Sequence, residues 1–189
     1  MKKIAIFASG EGTNAQSVID YFKNSKVTIA LIVCNNPKAN VLNRASKNNI
    51  PSILIDREIF YNSDYILKKL QDSNIDLIVL AGFLWKIPDN ILHSFPNKII
   101  NIHPALLPKF GGKGMYGMNV HKAVIEVGEK ESGITIHYVN EHYDEGKIIL
   151  QKKCDVSKND NAETLAQKVL KLEHEWFPKA IEKVLNQKI

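Results

Sequence analysis

Short, continuous runs of apolar residues alternate with amphipathic stretches over the first hundred residues of the chain. Such a run is typical of a strand buried on both faces, and apolar residues spaced three and four apart are typical of a helix packed on one side. The runs predict strands at 3–8, 27–34, 52–55, 77–81 and 98–102, and the amphipathic stretches predict helices at 14–22, 39–48 and 59–70. Strands that alternate with helices in this way predict a parallel sheet covered on both faces.

The pattern changes after Ser132, where apolar and polar residues alternate one by one. Ile134 and Ile136 fall on one face, and a second short run follows a polar turn, which predicts two antiparallel strands at the edge of the same sheet. We expect His137, on the other face of the first of them, to point outward. Residues 161–185 have helical spacing, and Pro178 within them predicts a kink or a break. The sequence therefore predicts an α/β fold: a single open, mostly parallel twisted sheet with helices on both faces, antiparallel strands late in the chain and a C-terminal helix.

The composition is that of one globular domain spanning residues 1–189. Apolar residues make up 44% and charged residues 24%, which argues against wholesale disorder. The longest apolar runs, at 29–34 and 77–85, are too short for a membrane helix, and the run at 4–8 is too short for a signal peptide. Two cysteines without C-x-x-C spacing favour a reduced, cytoplasmic protein, and we expect no membrane association.

Charge and histidine spacing narrow the range of partners. Lysine and arginine total 25 against 20 acidic residues, for a net charge of +5. The lysines are scattered, without the dense basic stripe and interleaved aromatics of a nucleic-acid reader, so we expect small anionic ligands and no nucleic acid. The six histidines show no metal-ligand spacing, so we expect no metal site.

The loop after the first strand has the residues of a phosphate site. Gly10, Gly12 and Ala15 match the G-x-G-x-x-A dinucleotide fingerprint, but the second strand ends at Cys34 without the acidic residue that would hold a ribose. A single phosphate at the N-terminus of the following helix fits better, with Thr13 and Asn14 as additional donors. The alternative is a glycine turn with a simple helix cap.

A polar pair occupies the end of the strand at 98–102. Asn101 and His103 are two residues apart, so both project to the same face, and Pro104 keeps His103 extended. Ligands of open α/β sheets bind at the carboxyl ends of the strands, which makes this pair a candidate catalytic group; the alternative is a polar pair that only caps the strand. A carboxylate to support the imidazole could come from Glu141, Asp144 or Glu145, and spacing alone does not choose among them.

Five segments together resemble the folate-dependent formyltransferases, and among these the phosphoribosylglycinamide formyltransferases. They are GEGTN after the first strand, LAGFLWKIP, INIHPALLPKF, YDEGKIILQ and LEHEWFP, and the resemblance extends from residue 3 to about residue 185. It implies a Rossmann-like formyltransferase fold with a phosphate-binding half (1–100) and a catalytic and folate-binding half (101–189). At 189 residues the chain has no room for the extra domains of methionyl-tRNA formyltransferases or formyltetrahydrofolate hydrolases.

The resemblance also implies roles for individual residues. The catalytic residues are Asn101, His103 and Asp144, with a protonated His103 held by Asp144. The substrate-binding residues are Gly12, Thr13, Asn14 and Glu173. The folate-binding residues are Leu84, Trp85, Lys86, Ile87, Asn101, Asn140, Glu141, His142, Tyr143 and Asp144. Two departures are Leu170, where many relatives have a polar residue, and the glycine-rich stretch 111–117, which is either a lid or a surface loop.

The implied activity is transfer of the formyl group of 10-formyltetrahydrofolate, as co-substrate, to the amine of 5-phosphoribosylglycinamide in de novo purine biosynthesis. Both partners are small molecules, no metal is implied, and we expect a monomer or weak homodimer. Two alternatives stay open at this point. One is formyl transfer to another amine, such as the amino sugar of a sugar nucleotide, and the other is a non-catalytic nucleotide-binding module.

Overall fold

A computed structural model describes residues 1–187 of the chain. Its strands are β1 (Lys2–Ala8), β2 (Val27–Cys34), β3 (Ser52–Leu54), β4 (Leu77–Leu80), β5 (Ile99–His103), β6 (Glu131–Tyr138) and β7 (Ile148–Asp155). Its helices are α1 (Thr13–Phe22), α2 (Val41–Lys47), α3 (Arg57–Tyr61), α4 (Tyr65–Asp72), α5 (Asp89–Ser94), α6 (Met118–Val127) and α7 (Ala162–Asn186).

All of these strands form one sheet in the order β3-β2-β1-β4-β5-β6-β7. Neighbouring strands from β3 to β5 are parallel, whereas β6 runs antiparallel to β5 and β7 antiparallel to β6. The predicted fold class, a mostly parallel sheet with antiparallel strands late in the chain, is confirmed. Successive strands are added on one side of β1 and then, from β4 onward, on the other. This reversal opens a crevice at the carboxyl ends of β1 and β4, where ligands of open α/β sheets bind.

Helices cover both faces of the sheet, and each face has its own core. Helices α1, α2, α6 and α7 pack on one face, and α3, α4 and α5 pack on the other. Strand β1 contributes to both, because Ile4 and Ile6 point to the first core while Ala5 and Phe7 point to the second. Each of these side chains is fully buried, and burying one as large as Phe7 contributes about 2–3 kcal/mol to folding.

One prediction of a helix boundary was wrong. The single helix predicted at 59–70 is divided into α3 and α4. Ser63 lies between these two helices, and its Oγ donates to the Ile59 carbonyl and accepts from the Tyr65 N–H. Short hydroxyl side chains compete in this way with the helical hydrogen bonds of the backbone. Of the two outcomes predicted at Pro178, a kink or a break, the break does not occur: α7 continues past this buried proline for eight residues to Asn186.

Candidate active site

A cavity of about 790 Å³ opens at the carboxyl ends of β1, β4 and β5. The loops that follow these strands line it, as expected, together with part of β6, the turn before β7, the start of α6 and one face of α7. Among the described residues, those of the loop after β2 do not line the cavity. This loop nevertheless supports the cavity wall, because the Asn36 side-chain amide donates a hydrogen bond to the Ser9 carbonyl at 3.2 Å. One cavity therefore collects residues from both halves of the chain.

Strand pairing places Asn101 and His103 side by side on one wall of the cavity. Their neighbours Ile100 and Ile102 face the opposite core, so the predicted alternation is confirmed. Asn101 pairs directly across from His137 of β6, and its amide nitrogen lies 3.2 Å from His137 Nε2. The amide also donates to Asp144 Oδ1 at 3.5 Å.

Of the three acidic residues in the turn before β7, Asp144 is the one that reaches the imidazoles. Its Oδ2 lies 3.6 Å from His103 Nδ1 and accepts from the Gly112 N–H at 2.9 Å. Its backbone is left-handed, with φ of +58°, a conformation that aspartate tolerates better than most residues. The turn is held two residues later by Gly146, where a Cβ would lie 1.6 Å from the Tyr138 carbonyl oxygen. Backbone geometry thus makes the selection that sequence spacing could not.

Asp144 remains charged although it is partly buried. Burial would raise the pKa of its carboxyl, but the hydrogen bond from His137, the electrostatic influence of the His103 ring and the hydrogen bond from the Gly112 N–H together hold that pKa below its ordinary value. The carboxylate therefore supplies a fixed negative charge beside two imidazole rings.

His103 differs from the expectation that it is protonated. The ring is 4% exposed, and burial lowers its pKa below the ordinary histidine value even though Asp144 acts in the opposite direction. Its Nε2 donates to the Phe110 carbonyl at 2.7 Å, and Phe110 has a left-handed φ of +57°. In the unliganded protein His103 is therefore neutral at neutral pH, and a backbone carbonyl occupies its free N–H.

His137 is a member of this cluster that sequence reasoning missed, because we expected its side chain to face outward. It is 2% exposed, and its Nδ1 donates to the Tyr138 carbonyl at 2.8 Å. Its Nε2 lies 3.5 Å from Asp144 Oδ1, so that a protonated ring donates to Asp144 and a neutral ring accepts from Asn101. The available signal was register: a residue opposite Asn101 on a neighbouring strand must share its face.

The far end of the cavity brings together Asn14 of α1 and Glu173 of α7. The Asn14 amide donates to Glu173 Oε2 at 2.8 Å, and Asn14 Oδ1 is buried without a partner among the described residues. Glu173 is 8% exposed, and burial raises the pKa of its carboxyl to about 7, with the Asn14 hydrogen bond opposing the rise. Two residues predicted to bind substrate therefore touch each other directly.

Gly12 and Thr13 lie beside this end but do not line the cavity in residues 1–187. Gly12 precedes α1 with φ of +70°, and a Cβ there would lie 2.7 Å from the Val41 Cβ. The glycine is therefore required for packing against α2, independently of any phosphate. The backbone of residues 12–14 remains the predicted phosphate site, since the N-terminus of α1 begins there.

The segment after β4 and the turn before β7 form the remaining wall. Leu84 is 53% exposed, whereas Ile87 is buried. Trp85 packs edge-on to Phe83 and lies beneath the Arg57 guanidinium, which is 5.2 Å from its ring centroid. The predicted folate-binding residues that line the cavity are Leu84, Trp85, Lys86, Ile87, Asn101, Asn140, His142, Tyr143 and Asp144. Glu141 does not; its carboxylate points to His93 at 3.7 Å.

The glycine-rich stretch lines the cavity from Gly112 to Gly117, and Leu170 lies on the α7 wall. In residues 1–187 no cluster of three or more histidine, cysteine or acidic side chains is arranged to hold a metal ion. None of the helices described combines the length and the apolar character that a membrane crossing requires.

Comparison with known proteins gives a consistent result. The family model described as formyl transferase matches residues 2–181. Phosphoribosylglycinamide formyltransferase of Bacillus subtilis is 39% identical over 98% of this chain and 96% of its own length. The enzyme of the same name from Haemophilus influenzae is 37% identical over 96% of this chain and 86% of its own. The crystal structure of glycinamide ribonucleotide transformylase 1 from Geobacillus kaustophilus superposes with a TM-score of 0.89 at 35% identity, over 98% of this chain and all of that one.

Proposed function

The chain belongs to the formyl transferase family, whose formyl donor derives from folate, and from this premise we propose that it formylates 5-phosphoribosylglycinamide. The donor in this proposal is 10-formyltetrahydrofolate, and the reaction is a step of purine biosynthesis. Relatives that carry the name phosphoribosylglycinamide formyltransferase match almost the whole chain. The observation that carries the proposal is the convergence of Asn101, His103 and Asp144 in one cavity, whose lining also includes predicted substrate-binding and folate-binding residues.

The chemistry needs no nucleophile from the protein, because the substrate amine is itself the nucleophile. Its lone pair attacks the formyl carbon, and negative charge develops on the formyl oxygen. Asn101 and His103 present hydrogen-bond donors from the same strand face, which suits them to stabilise that oxygen. Loss of one such donor typically lowers turnover about 10²–10³-fold.

A proton must leave the attacking nitrogen, and the folate nitrogen must gain one as its bond to the formyl carbon breaks. In the free protein Nε2 of His103 carries the proton and Nδ1 the lone pair, so the proton of the amine reaches Nδ1 through a water held by Asp144, whose carboxylate stabilises the imidazolium that results. As the bond between the folate nitrogen and the formyl carbon breaks, the imidazolium returns a proton to that nitrogen through the same water. Positioned acid–base groups of this kind contribute about 10²–10⁴-fold.

Donation from His103 to the formyl oxygen requires a change at the loop that follows β5. Its Nε2 proton is bonded to the Phe110 carbonyl at 2.7 Å in the unliganded protein. The formyl oxygen would replace that carbonyl as the acceptor.

The proposal is tested with purified protein, synthetic phosphoribosylglycinamide and 10-formyltetrahydrofolate, by mass spectrometry of the formylated product and absorbance of the folate product. The expected result is a single formyl adduct on the amine. A second reaction offers an amino-sugar nucleotide, which should remain unmodified. Formylation of the amino sugar instead, or binding of phosphoribosylglycinamide without transfer, would contradict the proposal.

A further inference from the structure

His121 is a buried polar group on the cavity wall that the proposed chemistry does not use. It lies in the first turns of α6, is 6% exposed and lines the same cavity as His103. Its Nδ1 is buried and has no hydrogen-bond partner within residues 1–187. A buried polar atom left in this way costs about 1–3 kcal/mol, so a role that compensates for the loss should be sought.

The two other buried imidazoles that line the cavity are already committed. His103 is bonded to the Phe110 carbonyl and faces Asp144, while His137 is bonded to the Tyr138 carbonyl and faces Asn101. His121 is the histidine on this wall whose Nδ1 is left without such a partner.

The surroundings determine which nitrogen of His121 carries the proton. An N–H buried without an acceptor is rarer in proteins than an acceptor without a donor, so we assign the lone pair to Nδ1 and the proton to Nε2. Because Nδ1 is closed off from the cavity, Nε2 is the nitrogen that the ring presents to it. Burial, and to a smaller extent the electrostatic influence of the nearby His103 ring, lower the pKa of His121, which keeps the ring neutral. The result is one neutral N–H directed at a ligand.

The position of α6 indicates which ligand this is. Helix α6 packs against α7, and α7 contributes Val169, Leu170 and Glu173 to the cavity. His121 therefore belongs to the wall that carries Glu173, a predicted substrate-binding residue, and it is close enough to His103 for the two rings to interact electrostatically. Leu170 itself has no hydrogen-bond donor in its side chain, whereas His121 offers one to the same cavity from α6.

We propose that His121 donates a hydrogen bond from Nε2 to the amide carbonyl oxygen of the glycinamide part of the substrate. This inference rests on the proposed function, because it deepens the account of that substrate's recognition. A neutral N–H suits a neutral carbonyl, and the carbonyl is adjacent to the carbon that bears the reacting amine. The contact therefore orients the amine toward the formyl carbon and selects for an amine that carries an amide.

The test uses two substitutions that separate the donor from the ring. His121→Phe keeps a ring of similar shape and removes the donor, whereas the amide nitrogen of His121→Gln reaches the position of Nε2. We expect the Kd of phosphoribosylglycinamide, measured by titration calorimetry, to rise about 3–10-fold in His121→Phe, the range for one neutral hydrogen bond. His121→Gln should stay within about twofold of the parent. The melting temperature of His121→Phe should not fall, because an unpaired buried nitrogen is removed.

Lys122→Gln, at the exposed neighbouring position on α6, serves as the matched control and should leave the Kd unchanged. His121→Asn provides a second variant without a donor at the Nε2 position and should weaken binding as His121→Phe does. An unchanged Kd in both variants, with a parent that binds and formylates the substrate, would overturn the His121 contact and leave the proposed function in place. A parent that does not bind phosphoribosylglycinamide would overturn both.

Discussion

Two carboxylates line the same cavity, and burial acts on both, yet their pKa values move in opposite directions. Asp144 has two imidazoles and a backbone N–H around it, and its pKa lies below the ordinary value. Glu173 has a single amide partner, Asn14, and its pKa rises to about 7. Glu173 is also the more deeply buried of the two, so the comparison shows that burial raises the pKa of an acid in this cavity unless enough hydrogen-bond donors and imidazoles oppose it.

The difference separates two tasks within one cavity. A carboxylate that stays charged through the physiological range can support an imidazolium during proton transfer. A carboxyl that titrates near neutrality can form hydrogen bonds with an uncharged part of a substrate in either state: it donates when protonated and accepts when ionised. We infer that the Asp144 end is organised for charge and the Glu173 end for recognition.

The strongest test of the comparison is to remove the charge of Asp144. In Asp144→Asn the imidazolium of His103 loses its carboxylate, so we expect kcat to fall about 10²–10⁴-fold while the circular dichroism spectrum stays that of the parent. Glu145→Gln, on the same turn and exposed, should leave kcat unchanged. A kcat for Asp144→Asn within tenfold of the parent would remove Asp144 from the proposed catalytic residues.

Glu173→Gln tests the other carboxylate through stability. The folded protein holds a proton on Glu173 up to about pH 7, while the unfolded chain releases it near the ordinary value of 4.5. The parent therefore loses stability as pH rises from 4.5 through 7, and the variant does not. We expect the free energy of unfolding of Glu173→Gln, relative to the parent, to increase by about 3 kcal/mol between pH 4.5 and 8 in urea titrations. The same comparison with Glu175→Gln should be flat, and a flat result for Glu173→Gln would show that its pKa is ordinary.

His137→Phe sharpens the account of why Asp144 stays charged. The hydrogen bond from His137 lowers the pKa of Asp144, so its removal should raise that pKa. Activity should then be lost at a higher pH as the solution is acidified, while kcat near neutrality should change far less than in Asp144→Asn. The measurement is the pH profile of kcat, with His93→Phe, an exposed histidine outside the cavity, as the control. An acid limb at the same pH as in the parent would exclude this role for His137.

The smallest effect is expected at Asn14, whose amide connects Glu173 to the predicted phosphate site. Asn14→Ala should raise the KM for phosphoribosylglycinamide several-fold, about the value of one hydrogen bond, and leave kcat within threefold. Gln16→Ala, on the same helix but outside the cavity lining, is the matched control and should leave KM unchanged. Should KM remain unchanged, the phosphate loop would have to be placed elsewhere.

The fold and one wall of the site could be predicted from local patterns. Continuous apolar runs identified the parallel strands, and the spacing of two residues between Asn101 and His103 placed them on one face. Both inferences depend on the period of a strand, which is a property of a few consecutive residues. The break between α3 and α4 also arises locally, but from the hydrogen bonds of one serine side chain that hydrophobic spacing does not reveal.

The rest of the site depends on contacts between distant segments. Asp144 could be preferred to Glu141 and Glu145 only once the backbone of the turn was known. His137 was predicted to be exposed because alternating apolar and polar residues indicate one buried and one exposed face of a strand. In the structure both faces at this position are covered, and His137 is buried. The opposite pKa shifts of the two carboxylates follow from partners brought together by the fold, and no spacing along the chain contains that information.

The Asn14–Glu173 hydrogen bond joins α1 to α7, positions 159 residues apart in the chain. A ligand held between these helices must oppose their separation, since binding stabilises whichever state binds it. Amide hydrogens of α7 should then exchange more slowly with deuterated solvent when phosphoribosylglycinamide is present, while those of β3 at the opposite border of the sheet should not change. Transient undocking of α7 would accordingly abolish substrate capture in molecules whose Asn101 and His103 remain correctly arranged.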